Sequence, residues 1–286
     1  MDPIITLSTD FGTDDAYVAI MKGVILGINP KAHIIDITHS IKPQNIAQGA
    51  FILSITYRYF PKGTIHMAIV DPGVGTERQA IILKTPLAFF IAPDNGILSY
   101  IINELSPEGF VGDETRLPPG GTKSKKSLEA VAITNPRFWR DPVSPTFHGR
   151  DIFAPVAAGL SLGISLYEFG ERITSLHVFR IPRPSLDPQG NLIGHILYVD
   201  HFGNMITDIK NTDLLSAAQS SVKPESPVIV EVAGHRIQGI KRYYAEGEGV
   251  MAVLGSSGYL EISLREGSAC DFLGTDVGDE VKVLYQ

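Results

Sequence analysis

Three short apolar runs, Ile4 to Ser8, Ile34 to Ile37 and Thr64 to Val70, alternate with stretches of helical periodicity, and this alternation narrows the possible folds more than any other feature of the chain. After the first run, Val18, Met21, Val24 and Ile25 recur at helical spacing within Asp14 to Ile28, up to Asn29-Pro30. After the second, Asn45 to Tyr59 reads as a helix closed by Phe60-Pro61-Lys62-Gly63. Ala80 to Thr85 and Phe89 to Ala92 read as a hairpin, and Gly96 to Glu104 and Asp151 to Leu162 as further helices. Strands and helices in alternation build a largely parallel sheet, and such sheets bind ligands at the carboxyl ends of their strands. Asp10, Asp71 and Asp94 stand at three such ends.

The pattern changes after the proline-rich segment Pro182 to Gln189. Short strand-like runs follow at Leu192 to Val199, Val228 to Val232, His235 to Ile237, Val250 to Leu254, Tyr259 to Ser263 and Glu280 to Leu284, with a helix only around Thr212 to Ser216. The expected organisation is an N-terminal α/β domain over residues 1–183 and a smaller C-terminal all-β barrel domain over 190–286, and 286 residues, 44% of them hydrophobic, suffice for two cores. Gly112 to Ser127 reads as a surface loop. The one cysteine, Cys270, forms no intrachain disulfide, and neither a secretory segment nor a long apolar run is visible, so a cytoplasmic setting without membrane contact is expected. Lys+Arg 24 against Asp+Glu 31 gives a net charge of −7, and the basic residues are scattered apart from Lys123, Lys125 and Lys126, which argues against nucleic acid as a partner.

Asp10-Phe11-Gly12-Thr13-Asp14-Asp15 places three carboxylates where one strand gives way to a helix. Asp14 or Asp15 is available as a helix cap, but capping needs one carboxylate. A carboxylate at a strand end also suits the two hydroxyls of a ribose, and the others suit an ammonium or a metal. Asp71-Pro72-Gly73 is a good turn sequence in its own right, followed by Arg78, and it lacks both the phosphate-loop and the dinucleotide glycine patterns. In Thr146-Phe147-His148-Gly149-Arg150-Asp151, Gly149 permits close backbone approach and Asp151 is available as an N-cap, while His148 offers Asp71 and Arg78 a charge-balanced partner. No His-x-x-x-His or Cys-His cluster appears, so neither a metal nor another cofactor is expected. The turns at Asp200 to Asn204 and Gly255 to Gly258 are ordinary hairpin chemistry taken singly, yet their polar tips suit the amide edges, amino group and carboxylate of a ligand.

Together Thr9-Asp10-Phe11-Gly12, Asp71 to Arg78, Ala92-Pro93-Asp94-Asn95-Gly96, Asn135-Pro136, Thr146 to Pro155, Asp200 to Asn204 and Ser256-Ser257-Gly258-Tyr259-Leu260 resemble the S-adenosylmethionine hydroxide adenosyltransferase family, the water-using relatives of bacterial fluorinase and chlorinase. The resemblance spans nearly the whole chain. It implies hydrolysis of S-adenosyl-L-methionine to adenosine and methionine, in a homotrimer with active sites between subunits. It further implies that Asp71, Arg78 and His148 hold the attacking water, that Asp10 binds the ribose, and that Asp14, Asp200 and Ser256 contact the methionine moiety. Asn204 would lie near the adenine, with Phe147 and Tyr259 among the substrate contacts and Tyr243 or Tyr244 stacking on the base. Halogenases of the group carry tyrosine where Asp71 stands, threonine at Val74 and serine at Gly149, and an indole near Gln44, so the resemblance points away from halide. Whether Asp71 or His148 accepts the water proton stays open at this point, because Arg78 lowers the basicity of a neighbouring carboxylate.

Two other readings fit parts of the pattern. A calcium-dependent nucleoside hydrolase shares an aspartate cluster like Ser8 to Asp15, but here Ser8 replaces its first aspartate. A module that binds S-adenosylmethionine or adenosine without turnover would keep Asp10 and have no need of Asp71, Arg78 and His148.

Overall fold

The computed structural model describes residues 2–105, 110–111, 114–116, 128–220 and 228–285. The chain divides into two compact units, Met1–Ile181 and Pro182–Gln286. In the first, β1 (Ile4–Thr9), α1 (Tyr17–Ile28), β2 (His33–Thr38), α2 (Ile46–Thr56), β3 (Ile65–Ile69), β4 (Ala80–Lys84), β5 (Phe89–Pro93) and α3 (Ser99–Leu105) follow one another. The short β6 (Phe110–Val111) and β7 (Glu114–Arg116), then β8 (Glu129–Ile133), α4 (Ala154–Ser161), β9 (Gly170–Ile173) and β10 (Ser175–His177) complete it.

A seven-stranded sheet runs in the order β2-β1-β3-β5-β4-β8-β9. Its core is parallel, as expected: β1 pairs in parallel with β2 and β3, and β3 with β5. The hairpin partner β4 and the strands β8 and β9 extend it with antiparallel pairings. Ile5 and Leu7 of β1 turn to one face, into a core shared with Met21 and Ile25 of α1 and Val156 and Ala157 of α4. Thr6 turns to the other, where its hydroxyl oxygen lies 2.8 Å from His66 Nδ1. Cover on both faces explains why β1 and β3 read as continuous apolar runs. From β1 the chain moves to β2 on one side and then to β3 on the other, so the strand order reverses between β1 and β3. Open α/β sheets place their ligand crevice at that reversal, at the carboxyl ends of the strands.

Three local expectations are corrected. α1 starts at Tyr17 behind the N-cap Ala16, which makes no side-chain cap, so the exposed Asp14 and Asp15 cap nothing. The helix read from Asp151 begins instead as a π-turn over Gly149–Phe153 that runs into α4, and Asp151 is a fully buried carboxylate within the turn rather than an N-cap. The loop expected over Gly112 to Ser127 falls mostly outside the described residues, as do Lys123, Lys125 and Lys126, but Glu114–Arg116 within it is β7, paired with β10.

The second unit contains β11 (Ser185–Leu186), β12 (Leu192–Val199), β13 (Met205–Lys210), α5 (Asn211–Ser220), β14 (Val228–Val232), β15 (His235–Gln238), β16 (Ile240–Lys241), β17 (Val250–Leu254), β18 (Tyr259–Leu264), α6 (Ala269–Leu273) and β19 (Glu280–Tyr285). Its sheet runs β15-β14-β19-β12-β13-β18-β17-β16, with β11 on β12. β14 and β15 come round against β16 and β17, which curls the sheet into a near-barrel around Leu192, Ile196, Met205, Val230, Leu260, Ile262 and Val283. β13 and α6 carry no clear signal in the sequence. The middle of β13 is the polar pair Thr207-Asp208, both buried, and α6 is a single short turn capped by Ser268, whose hydroxyl accepts the Asp271 N–H at 3.1 Å. No helix among the described residues is long and apolar enough to cross a membrane.

Candidate active site

Asp10 follows β1 and Asp71 follows β3, so the strand reversal sets two carboxylates at its two carboxyl ends. Asn95, just past β5, donates its amide to the Val70 carbonyl at 2.8 Å and ties the end of β3 to its neighbour. Beyond Asp71 the chain curls tightly: the Val74 N–H reaches the Asp71 carbonyl at 3.2 Å, and both the N–H and the hydroxyl of Thr76 return to the Gly73 carbonyl. Gly75 has φ 79°, and a Cβ there would stand 2.4 Å from the Pro145 carbonyl oxygen. Only glycine lets this turn lie against the segment that leads to His148.

The curl brings Arg78 back over Asp71. Arg78 Nε donates to Asp71 Oδ1 at 2.9 Å, and a terminal guanidinium nitrogen donates to Oδ2, a two-pronged pairing that fixes the carboxylate plane. The same nitrogen lies 2.9 Å from His148 Nδ1, and the guanidinium sits 5.4 Å from the centre of the Phe153 ring. The Arg78 and Asp71 side chains are 11% and 6% exposed. Burial, and next the Arg78 charge, push His148 below the usual imidazole value, although Asp71 and Asp151 pull the other way.

The π-turn presents His148. Gly149 is buried at its start, where a Cβ would meet Met21 Sδ at 3.1 Å and the Phe147 ring at 3.2 Å. Asp151 fastens the turn: Arg150 donates to its two oxygens at 2.6 and 2.7 Å, and the Ser144 N–H reaches Oδ2 at 2.8 Å. Burial would raise this carboxyl, but those hydrogen bonds hold it below the usual carboxylate range. Phe147 packs edge-on against Phe11 and Tyr17, with Arg150 over its ring, so the aromatic following Asp10 touches the one preceding His148.

Asp10 itself accepts the Gln44 N–H at 2.8 Å through Oδ2. Asp10, Asp14 and Asp15 form no metal cage, and among the described residues no group of three or more His, Cys, Asp or Glu side chains is arranged to hold a metal ion.

In the second unit, Asp200 and Asn204 meet in one turn. Asp200 Oδ1 accepts the N–H groups of Phe202 and Asn204, each at 2.9 Å, and Oδ2 accepts the Asn204 amide at 2.9 Å. Ser256 is exposed in the β17–β18 turn, whereas Tyr259 is 7% exposed with Lys210 5.4 Å from its ring centre. Register places these two turns at opposite ends of the β13–β18 pair. Glu261, which the sequence reading passed over, accepts the Tyr244 hydroxyl at 2.7 Å and the Ser263 hydroxyl at 2.8 Å. The bond to Glu261, with burial and the charges of Glu261 and Asp200, pushes the Tyr244 phenol up to about 12. Tyr244 is therefore tethered near Asp200, while Tyr243 is stacked by Arg242. Phe202, also passed over, stands 73% exposed at the tip of the Asp200 turn.

An α/β sheet with a carboxylate and an imidazole bound to one arginine beside its strand reversal, on a chain that continues into a β near-barrel, defines a class of two-unit α/β–β proteins. The description "SAM hydroxide adenosyltransferase" matches twice, its N-terminal domain over residues 5–170 and its C-terminal domain over residues 194–282. The chain belongs to the S-adenosylmethionine hydroxide adenosyltransferase family. It is 34% identical over 284 residues to the (R)-S-adenosyl-L-methionine hydrolase of Salinispora arenicola, covering 98% of this chain and 97% of that protein. The protein of that name from Methanocaldococcus jannaschii is 32% identical over 295 residues, and covers 99% of this chain and 96% of itself. A fluorinase from Actinoplanes is 30% identical over 76% of this chain and 74% of its own length. The crystal structure of an uncharacterized conserved protein from Thermotoga maritima superposes with a TM-score of 0.82 at 33% identity, covering 98% of this chain and 99% of that one.

Proposed function

We propose that this protein hydrolyses S-adenosyl-L-methionine to adenosine and L-methionine. The observation that carries the reading is the Arg78 bridge, one guanidinium bound to both oxygens of Asp71 and to His148 Nδ1. A guanidinium nitrogen only donates, so Nδ1 must offer a lone pair and the neutral imidazole carries its proton on Nε2. That nitrogen can donate to a water and orient it, but it has no lone pair for the water's proton. Asp71 keeps acceptor capacity beyond its bonds to Arg78 and is the proton acceptor in this reading.

The reaction needs little else from the protein. The water oxygen forms a bond to C5′ as the C5′–S bond breaks, the electron pair of that bond goes to the methionine sulfur, and the water proton passes to Asp71 and on to solvent. Neutral methionine leaves without a general acid, so alignment of the water behind C5′ is the main demand. Asp71 also opposes a halide, because an anion at the nucleophile's place would face a carboxylate at close range.

In this reading residues 1–183 activate the water and bind the ribose through Asp10, with Phe147 beside the site and Asp14 toward the methionine moiety. Residues 190–286 supply Asp200, Asn204, Ser256 and Tyr259, with Tyr244, tethered by Glu261, as the ring for adenine. The protein acts in the cytoplasm as a homotrimer with sites between subunits. Exposed Tyr17, Ile20 and Ile28 on α1, beside the face that buries Val18, Met21 and Ile25, support that assembly. Chromatography of the protein incubated with S-adenosyl-L-methionine tests the reaction: adenosine and methionine in equal amounts, unchanged by a chelator, are expected. Free adenine, or no product, would overturn the reading.

A further inference from the structure

Residues 39–45, between β2 and α2, are fastened to the end of β1 by contacts that the reaction above does not use. Lys22 Nζ lies 2.5 Å from Asp36 Oδ2, Asp36 Oδ1 lies 3.0 Å from His39 Nε2, and His39 Nδ1 lies 2.8 Å from Thr9 Oγ1. Thr9 Oγ1 also accepts the Phe11 N–H at 3.3 Å. The His39 carbonyl also accepts the Gly12 N–H at 2.8 Å. His39 is 6% exposed and thus welds the segments on both sides of Asp10 to the end of β2.

Gln44 lies at the far end of the same loop with φ 65°, a left-handed conformation that disfavours any residue with a Cβ. Such strain persists only where its surroundings hold it. Here the Lys42 N–H is bound by Gln48 Oε1 at 2.8 Å, and Asn45 caps α2 through the Gln48 N–H at 2.9 Å. The Gln44 side chain is exposed, so what the conformation delivers is the backbone N–H, aimed at Asp10 Oδ2 at 2.8 Å.

We propose that His39 and Gln44 are positioning residues for Asp10, which hold its carboxylate by Oδ2 so that Oδ1 is presented to the ribose hydroxyls of the substrate. This rests on the reading of Asp10 as the ribose carboxylate. A carboxylate free to rotate would still attract a hydroxyl, but it would discriminate less between a ribose and a sugar lacking one hydroxyl. The loop therefore sets selectivity as well as affinity.

Calorimetric titration of the full-length protein with adenosine and with 2′-deoxyadenosine tests the proposal. The wild type is expected to prefer adenosine. His39→Ala and Gln44→Pro, the latter lacking both the N–H and the positive φ, are expected to weaken adenosine about tenfold and to shrink the preference. Gln44→Gly keeps both features and is expected to retain the wild-type affinity, so the proline–glycine pair decides the matter even if His39→Ala fails to fold. In an Asp10→Ala background, Gln44→Pro is expected to cost less than about twofold more, because a positioning residue has no effect once its target is gone. Equal weakening of both nucleosides, or the same loss with and without Asp10, would overturn the proposal and leave the hydrolase reading standing. A wild-type protein that binds adenosine no better than 2′-deoxyadenosine would overturn the ribose assignment of Asp10 itself, and the proposal with it.

Discussion

At the scale of single residues, the site depends on Arg78 having two partners at once. Asp71→Asn keeps an oxygen for the guanidinium and removes the proton acceptor, so kcat is expected to fall about 100-fold or more, in the range that general-base removal costs. Steady-state kinetics with S-adenosyl-L-methionine check it. His148 gives a pH dependence of known sign. Its imidazole value is lowered from 6.5, and protonation of Nδ1 would set a donor against the Arg78 donor, so kcat/KM is expected to fall on the acid side with a limb centred below pH 6.5. An acid limb centred above pH 7 would contradict this. His66 adds a separate dependence, of stability. It is fully buried among Tyr57, Phe60 and Phe90, and burial lowers it from 6.5 to about 4. Between these values the unfolded chain binds a proton that the folded chain does not, so stability falls as pH drops from 6.5 toward 4, by about 3 kcal/mol in all. Denaturant unfolding at several pH values should show that slope in the wild type and lose most of it in His66→Gln.

At the scale of elements, the turn after β3 and the π-turn before α4 must touch. Gly75→Ala would force a Cβ against the Pro145 carbonyl at positive φ, so it is expected to destabilise the protein by roughly 1–3 kcal/mol and to lower activity by displacing Asp71 and Arg78 from His148. Thermal unfolding and kinetics measure the two effects separately. The elements themselves are largely legible in the sequence, because β1, β3 and the β4–β5 hairpin have the apolar runs and the bounding turns that burial imposes. The motifs around Asp71, Arg78 and His148 are legible too, and so is their grouping, but not that a single guanidinium nitrogen of Arg78 reaches both Asp71 and His148 Nδ1. Three features leave no periodic trace. A π-turn has the composition of an α-helix, a buried Thr207-Asp208 hides a strand, and the Gln44 conformation follows from anchors on both sides rather than from glutamine.

At the scale of the molecule, a parallel sheet core with its strand reversal at Asp10 and Asp71, and a separate β near-barrel, match the fold class that alternation and composition shift predict. The proposed trimer adds a consequence. Light scattering is expected to give three times the mass of one chain, and Ile20→Lys with Ile28→Lys, which charges the exposed stripe of α1, is expected to yield smaller species with reduced turnover. A monomeric wild type with full activity would contradict it.

In the proposed reaction water attacks C5′ of the ribose. The most direct test is hydrolysis of S-adenosyl-L-methionine in water enriched in heavy oxygen, with mass analysis of the nucleoside formed. Adenosine labelled at its 5′ oxygen, released with methionine and formed far more slowly by Asp71→Asn, is the expected result. Unlabelled adenosine would mean that a carboxylate of the protein, not water, delivers the oxygen to C5′, and a nucleoside that keeps its C5′–S bond would place the cleavage elsewhere; either result would contradict attack by water.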